Sequence, residues 1–159
     1  MSEVEQFLAA AIRLERDSAL RYDELADAIS GHGQAEVVAF FRQQAVYSRR
    51  HLAEVETHLS KREPWDGVEA EKDGDPKLYA FVDGESPEAT AVWAADGFIS
   101  VADAMALALE AEEKGLRYYA SVADSSTDPE VQTHAEHFVA EEAGHVRALK
   151  ELISRLTEA

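Results

Sequence analysis

Apolar residues recur every three or four positions in four separate stretches, and each stretch predicts an amphipathic helix. The first opens with Ser2 and Glu5 in capping-box spacing and carries Val4, Leu8, Ala11, Ile12, Ala19, Tyr22, Leu25, Ala26 and Ile29 on one stripe. It should stop at Gly31-His32-Gly33, where glycine can supply a left-handed turn. The second presents Val37, Phe40, Phe41, Gln44, Ser48, His51, Val55 and Leu59 inward and is expected to run to about Glu63, ahead of Pro64. Ser100 and Asp103 start the third, with Val101, Met105, Ala108, Glu112, Tyr119 and Val122 inward and an end near Asp124. Asp128 caps the fourth and Pro129 takes its first position; its stripe is Val131, Phe138, Glu142, His145, Leu149, Ile153 and Leu156.

Residues 63–99 differ in kind. They hold all the prolines but one, several glycines and many acids, with no sustained period apart from a short helix expected between Ser86 and Gly97. Neither flanking half could close a core alone, so this stretch is a long crossover within a single domain spanning 1–159. Trp65 and Trp93 are expected to anchor it on the helices. The fold class is therefore all-α, a four-helix bundle with short, long and short connections.

The inner stripes are interrupted by polar residues. Glu142 and His145 stand at i and i+3, so a carboxylate and an imidazole leave one helix face about a turn apart. Glu15, Ser48, His51 and Glu112 interrupt the other stripes, and at ~1.5 Å rise per residue all six lie roughly 20 to 27 Å from their own hairpin turns. Polar inward residues thus meet at one height. Unpaired charges there would be costly to bury, and a metal ion is the common compensation for inward carboxylates and histidines. The bland reading of the same residues is a hydrogen-bonded core network. His58 and His134 approach the inner face far from this level, as partly buried or helix-end residues; His32 reads as a turn residue and His137 as a surface one.

Composition narrows the classes. A formal net charge of -17 repels phosphate, which excludes nucleic acid and anionic membrane as partners while favouring cations. With no cysteine there are no disulfides, thiolate metal sites or thiol catalysis. The acidic start Met1-Ser2-Glu3-Val4-Glu5 and the lack of a long apolar run predict neither leader nor membrane span, and a cytoplasmic location.

An internal repeat is visible as well. A shift of 97 sets Glu15 on Glu112, Tyr22 on Tyr119, Ala26 on Ala123 and Asp27 on Asp124; a shift of 94 sets Val37 on Val131 and His51 on His145. Where the fourth helix has Glu142, however, the second has Ser48.

The two Glu-x6-Tyr pairs, Glu142-x-x-His145 and the run from Phe41 to His51 resemble the ferritin-like superfamily, specifically its rubrerythrin-like branch. The resemblance extends over all four helices. It implies a ferritin-like bundle in which each half gives one Glu and one Glu-x-x-His, together holding two irons. Carried over, the metal ligands are Glu15, His51, Glu112, Glu142 and His145, with Tyr22, Tyr119 and Ser48 behind them. It further implies an oxidoreductase reacting with oxygen or peroxide, with no catalytic residue beyond the ligands assigned. Small oligomers are usual in that branch, so a homodimer is expected. Zinc or another divalent metal is the alternative to iron, in a mononuclear or redox-inert bundle without turnover. Three departures bear on the choice. Ser48 replaces a bridging Glu, Gly115 stands where rubrerythrins proper have a further Glu, and without cysteine any electron donor is a separate partner.

Overall fold

The computed structural model describes residues 2–31, 34–61 and 99–157. Four α-helices form there: α1, Glu3–Ile29; α2, Ala35–Ser60; α3, Val101–Ser125; and α4, Pro129–Thr157. No strand is present among the described residues. The crossover up to Phe98, with its expected short helix, Trp65 and Trp93, lies outside them, as do His32 and Gly33.

The helix starts follow local chemistry. Ser2 Oγ accepts from Glu5 N–H at 3.2 Å while Ser2 N–H donates to Glu5 Oε2 at 2.9 Å, so two amides that a helix start leaves orphaned are satisfied. Ser100 and Asp103 repeat the device at 3.0 and 3.3 Å, and Asp128 Oδ1 accepts from Glu130 N–H at 2.9 Å ahead of α4. The turn before α4 also ties down α1, because Ser126 Oγ donates to Glu3 Oε1 at 2.8 Å.

Two ends differ from expectation. Helix α1 stops at Ile29, just ahead of Gly31, but Gly31 does not adopt a left-handed φ and Gly33 lies outside the described residues; the cap is Ser30, at φ -59°, whose hydroxyl donates to the Asp27 carbonyl at 3.0 Å. Helix α2 stops at Ser60 rather than near Glu63. The Ser60 hydroxyl donates to the Thr57 carbonyl at 2.9 Å, competing for the acceptor that Lys61 N–H would use to continue the helix.

Helix α1 packs along α2, α3 packs along α4, and α1 also meets α3 and α4. The buried apolar side chains fall into two clusters. One gathers Phe7, Leu8, Leu14, Val55, Leu59, Tyr119, Val122, Val131 and Phe138; the other gathers Tyr22, Leu25, Ile29, Val37, Phe41, Met105, Ala108, Leu149 and Leu152. Each large side chain so buried contributes about 1.5–3 kcal/mol. In sequence the clusters bracket Glu15 on α1, Ser48 on α2, Glu112 on α3 and Glu142 on α4. A polar layer therefore sits between two apolar plugs.

Candidate metal centre

Glu15, Ser18, Arg21, Gln44, Ser48, Glu112 and Glu142 are all at most 5 % exposed. Helical spacing delivers them, because Glu15, Ser18 and Tyr22 lie on successive turns of one face while Arg21 continues the heptad row of Phe7 and Leu14.

Glu112 is the hub. Its Oε1 accepts from the Tyr22 hydroxyl at 2.5 Å and from Arg21 Nη2 at 3.3 Å, which fixes the carboxylate from the α1 side. Its Oε2 has no hydrogen-bond partner and lies 3.7 Å from His145 Nδ1. Glu142 Oε2 is likewise unpartnered, 3.8 Å from the same nitrogen. One ligand atom each from Glu112, Glu142 and His145 falls within 4.8 Å of the other two. Two orphaned buried carboxylate oxygens facing one imidazole nitrogen fit a divalent cation, which would satisfy all three at once.

The other half of the layer is looser. Glu15 Oε2 lies 4.0 Å from His51 Nδ1, and Glu15 Oε1 is buried without a partner. His51 Nδ1 also lies 3.1 Å from Glu141 Oε2. Glu141, 24 % exposed, reaches His137 Nε2 at 3.1 Å as well. The rings of His51 and His145 stack at 5.8 Å with an 8° tilt, bridging the two halves near the solvent side.

Protonation follows from burial and neighbours. Burial raises the Glu142 carboxyl well above its ordinary value, and the charge of Glu112 adds to this. Burial acts the same way on Glu15, with Glu112 and Glu141 adding to it. Burial would also raise Glu112, but the adjacent Glu142 and His145 side chains and the Arg21 charge outweigh it and hold Glu112 ionised. Burial pushes His51 below its ordinary value, with Glu141 opposing and His145 adding. Without metal, burial therefore disfavours a second negative charge on the Glu112–Glu142 pair.

Of the five expected ligands, Glu112, Glu142 and His145 converge, while Glu15 and His51 lie beside them in the same layer. Tyr22 touches the site through Glu112. Tyr119 does not touch it in this way: its hydroxyl has no hydrogen-bond partner among the described residues, and its ring packs on Phe138 at 4.9 Å and Phe7 at 6.0 Å. Ser48 hydrogen-bonds to Ser18 across the α1–α2 interface at 2.9 Å. His58 is exposed rather than partly buried, and its ring meets His134 at 5.2 Å, which makes the two a contact between α2 and α4. Sequence reasoning missed Arg21, Ser18 and Glu141. An arginine in heptad register with Phe7 and Leu14 was the available signal for the first.

No curated protein matches the chain. Among solved structures it is similar to an uncharacterized conserved protein from Magnetospirillum magnetotacticum MS-1. That likeness has 30% sequence identity and a TM-score of 0.72, over 98% of this chain and 95% of the other. The Rubrerythrin family profile matches residues 6–153, a span that takes in all the residues of the polar layer. Four helices, a carboxylate and histidine layer across their middle, and a profile match over most of the length agree: the chain belongs to the Rubrerythrin family, within the ferritin-like superfamily.

Proposed function

We propose that the protein binds a divalent transition metal, iron by its family, with Glu112, Glu142 and His145 as ligands, and that it uses the bound iron in oxygen- or peroxide-dependent oxidation. The convergence of two unpartnered buried carboxylate oxygens with an imidazole nitrogen carries this reading. Two carboxylates and an imidazole suit ferrous iron, whose one-electron oxidation would supply the redox chemistry.

The chain's own residues prepare the place. Tyr22 and Arg21 hold Glu112 by Oε1, which leaves Oε2 free to face the ion. Burial raises the Glu142 carboxyl, so an ion binding there competes with a proton and metal uptake is coupled to proton release. The apolar plugs on either side keep bulk water from the carboxylates, and the 16 % exposure of His145 leaves one edge open. This sequence contains no cysteine, so it offers no thiolate iron centre for delivering electrons, and a separate donor is part of the proposal.

Anaerobic titration of the metal-free protein with ferrous iron, followed by oxygen or peroxide, tests the reading. Saturable uptake with ferric absorbance developing on oxidant addition is expected. Uptake without oxidation would reduce the function to a redox-inert metal bundle, and no uptake would remove the metal altogether.

A further inference from the structure

Arg21 is completely buried, at 0 % exposure, in the same layer as the carboxylates. Its Nη2 donates to Glu112 Oε1 at 3.3 Å and to Ser18 Oγ at 3.4 Å, and Ser18 Oγ pairs with Ser48 Oγ at 2.9 Å. A hydrogen-bonded string therefore runs from Ser48 through Ser18 and the guanidinium to Glu112. It crosses from the first half of the repeat to the second.

Both ends of the charge difference between the halves lie on that string. The shift that sets Tyr22 on Tyr119 sets Arg21 on Tyr118, and the shift that sets His51 on His145 sets Ser48 on Glu142. Relative to the second half, the first has gained one positive charge and lost one negative. Together these equal the charge of one divalent cation. Among the described residues the buried carboxylates are Glu15, Glu112 and Glu142. Even fully ionised they carry three negative charges, so with Arg21 at most two remain, no more than one divalent ion neutralises, and fewer where burial keeps Glu15 protonated.

We propose that Arg21 stands in for a second metal ion. Its guanidinium, braced by Ser18, supplies the positive charge that a second cation would bring to Glu112. The chain then holds one ion, at Glu112, Glu142 and His145, and the Glu15–His51 half holds none. This rests on the metal reading above and departs from a two-ion centre. A second cation would meet a fixed like charge with no buried carboxylate from α2 to offset it. Two further carboxylates act on this half, but neither is buried: Glu141 stays at the rim, shared with His137, and Glu54, one turn on from His51, is exposed.

The test is an anaerobic titration of the metal-free full chain with zinc and with ferrous iron, counting retained ions per chain by elemental analysis. Three proteins are compared: wild type, Ser48→Glu, and Ser48→Glu combined with Arg21→Met, each checked for helical content. One ion is expected in wild type. One is also expected in Ser48→Glu, because the new carboxylate pairs with Arg21; two are expected once the guanidinium is also removed. Two ions in wild type would overturn the proposal and assign Glu141 the missing carboxylate's role. Two in Ser48→Glu alone, or one in a folded double variant, would overturn it equally. No bound ion in wild type would instead refute the metal reading on which it rests. Should the double variant not fold, the wild-type and Ser48→Glu counts decide.

Discussion

Tyr22 donates its hydroxyl to Glu112 Oε1 at 2.5 Å, across the bundle from one half of the repeat to the other, while its counterpart Tyr119 makes no equivalent bond to Glu15. The two tyrosines occupy matching positions yet do different work. Tyr22→Phe removes a hydrogen bond to a buried ionised carboxylate and should destabilise the protein by about 1.5–3 kcal/mol. Tyr119→Phe removes an unpartnered hydroxyl and should cost less than about 0.5 kcal/mol or stabilise slightly. Urea denaturation of both variants checks the contrast, and equal losses would contradict it.

The charged partners of the layer should also separate. Glu112→Gln leaves the Arg21 guanidinium buried without its carboxylate, so a loss of about 3–5 kcal/mol is expected. Burial favours the neutral form of Glu15, which Gln mimics, so Glu15→Gln should change stability by less than about 1 kcal/mol. Thermal melts of the two variants make the comparison.

The raised carboxyls of Glu15 and Glu142 should make the metal-free protein lose stability as pH rises above ~4.3, while His51, lowered on folding, opposes the fall up to its ordinary value of ~6.5. Glu15 and Glu142 have carboxyl pKa values raised on folding, so the folded chain holds protons that the unfolded chain releases above ~4.3. Their contribution is complete below that pH and is lost as pH rises towards their folded values. Each costs up to about 1.4 kcal/mol per pH unit while it keeps its proton. Glu112 behaves oppositely, its contribution present above the ordinary range and lost in acid. Unfolding curves across this range should show the slope, and Glu142→Gln should reduce it by about one proton's worth.

Metal should remove the Glu142 part of that dependence. Zinc binding is expected to release protons, more of them the lower the pH, measured by calorimetry in buffers of different ionisation enthalpy. At 100-fold excess over its dissociation constant zinc should add about 2.7 kcal/mol of stability. His145→Ala should abolish both effects, and a variant that still released protons on binding would place the ion elsewhere.

The four helices were legible because each is built from local information: capping residues at Ser2, Ser100 and Asp128, a 3.6-residue apolar period, and Pro129 at a helix start. The level of Glu15, Ser48, His51, Glu112, Glu142 and His145 was legible too, since helical rise alone places inward polar residues at one height in each hairpin. What spacing could not decide was which of them meet. Glu112, Glu142 and His145 converge because α3 and α4 pack along each other, whereas His51 leans toward Glu141. Arg21 shows the limit most clearly. Its heptad register with Phe7 and Leu14 points inward, but only the enclosure of α1 by α2, α3 and α4 buries it against Glu112. Periodicity reports how a chain turns about its own axis; pairing of buried charges depends on distances between helices, which are set only when all four pack together.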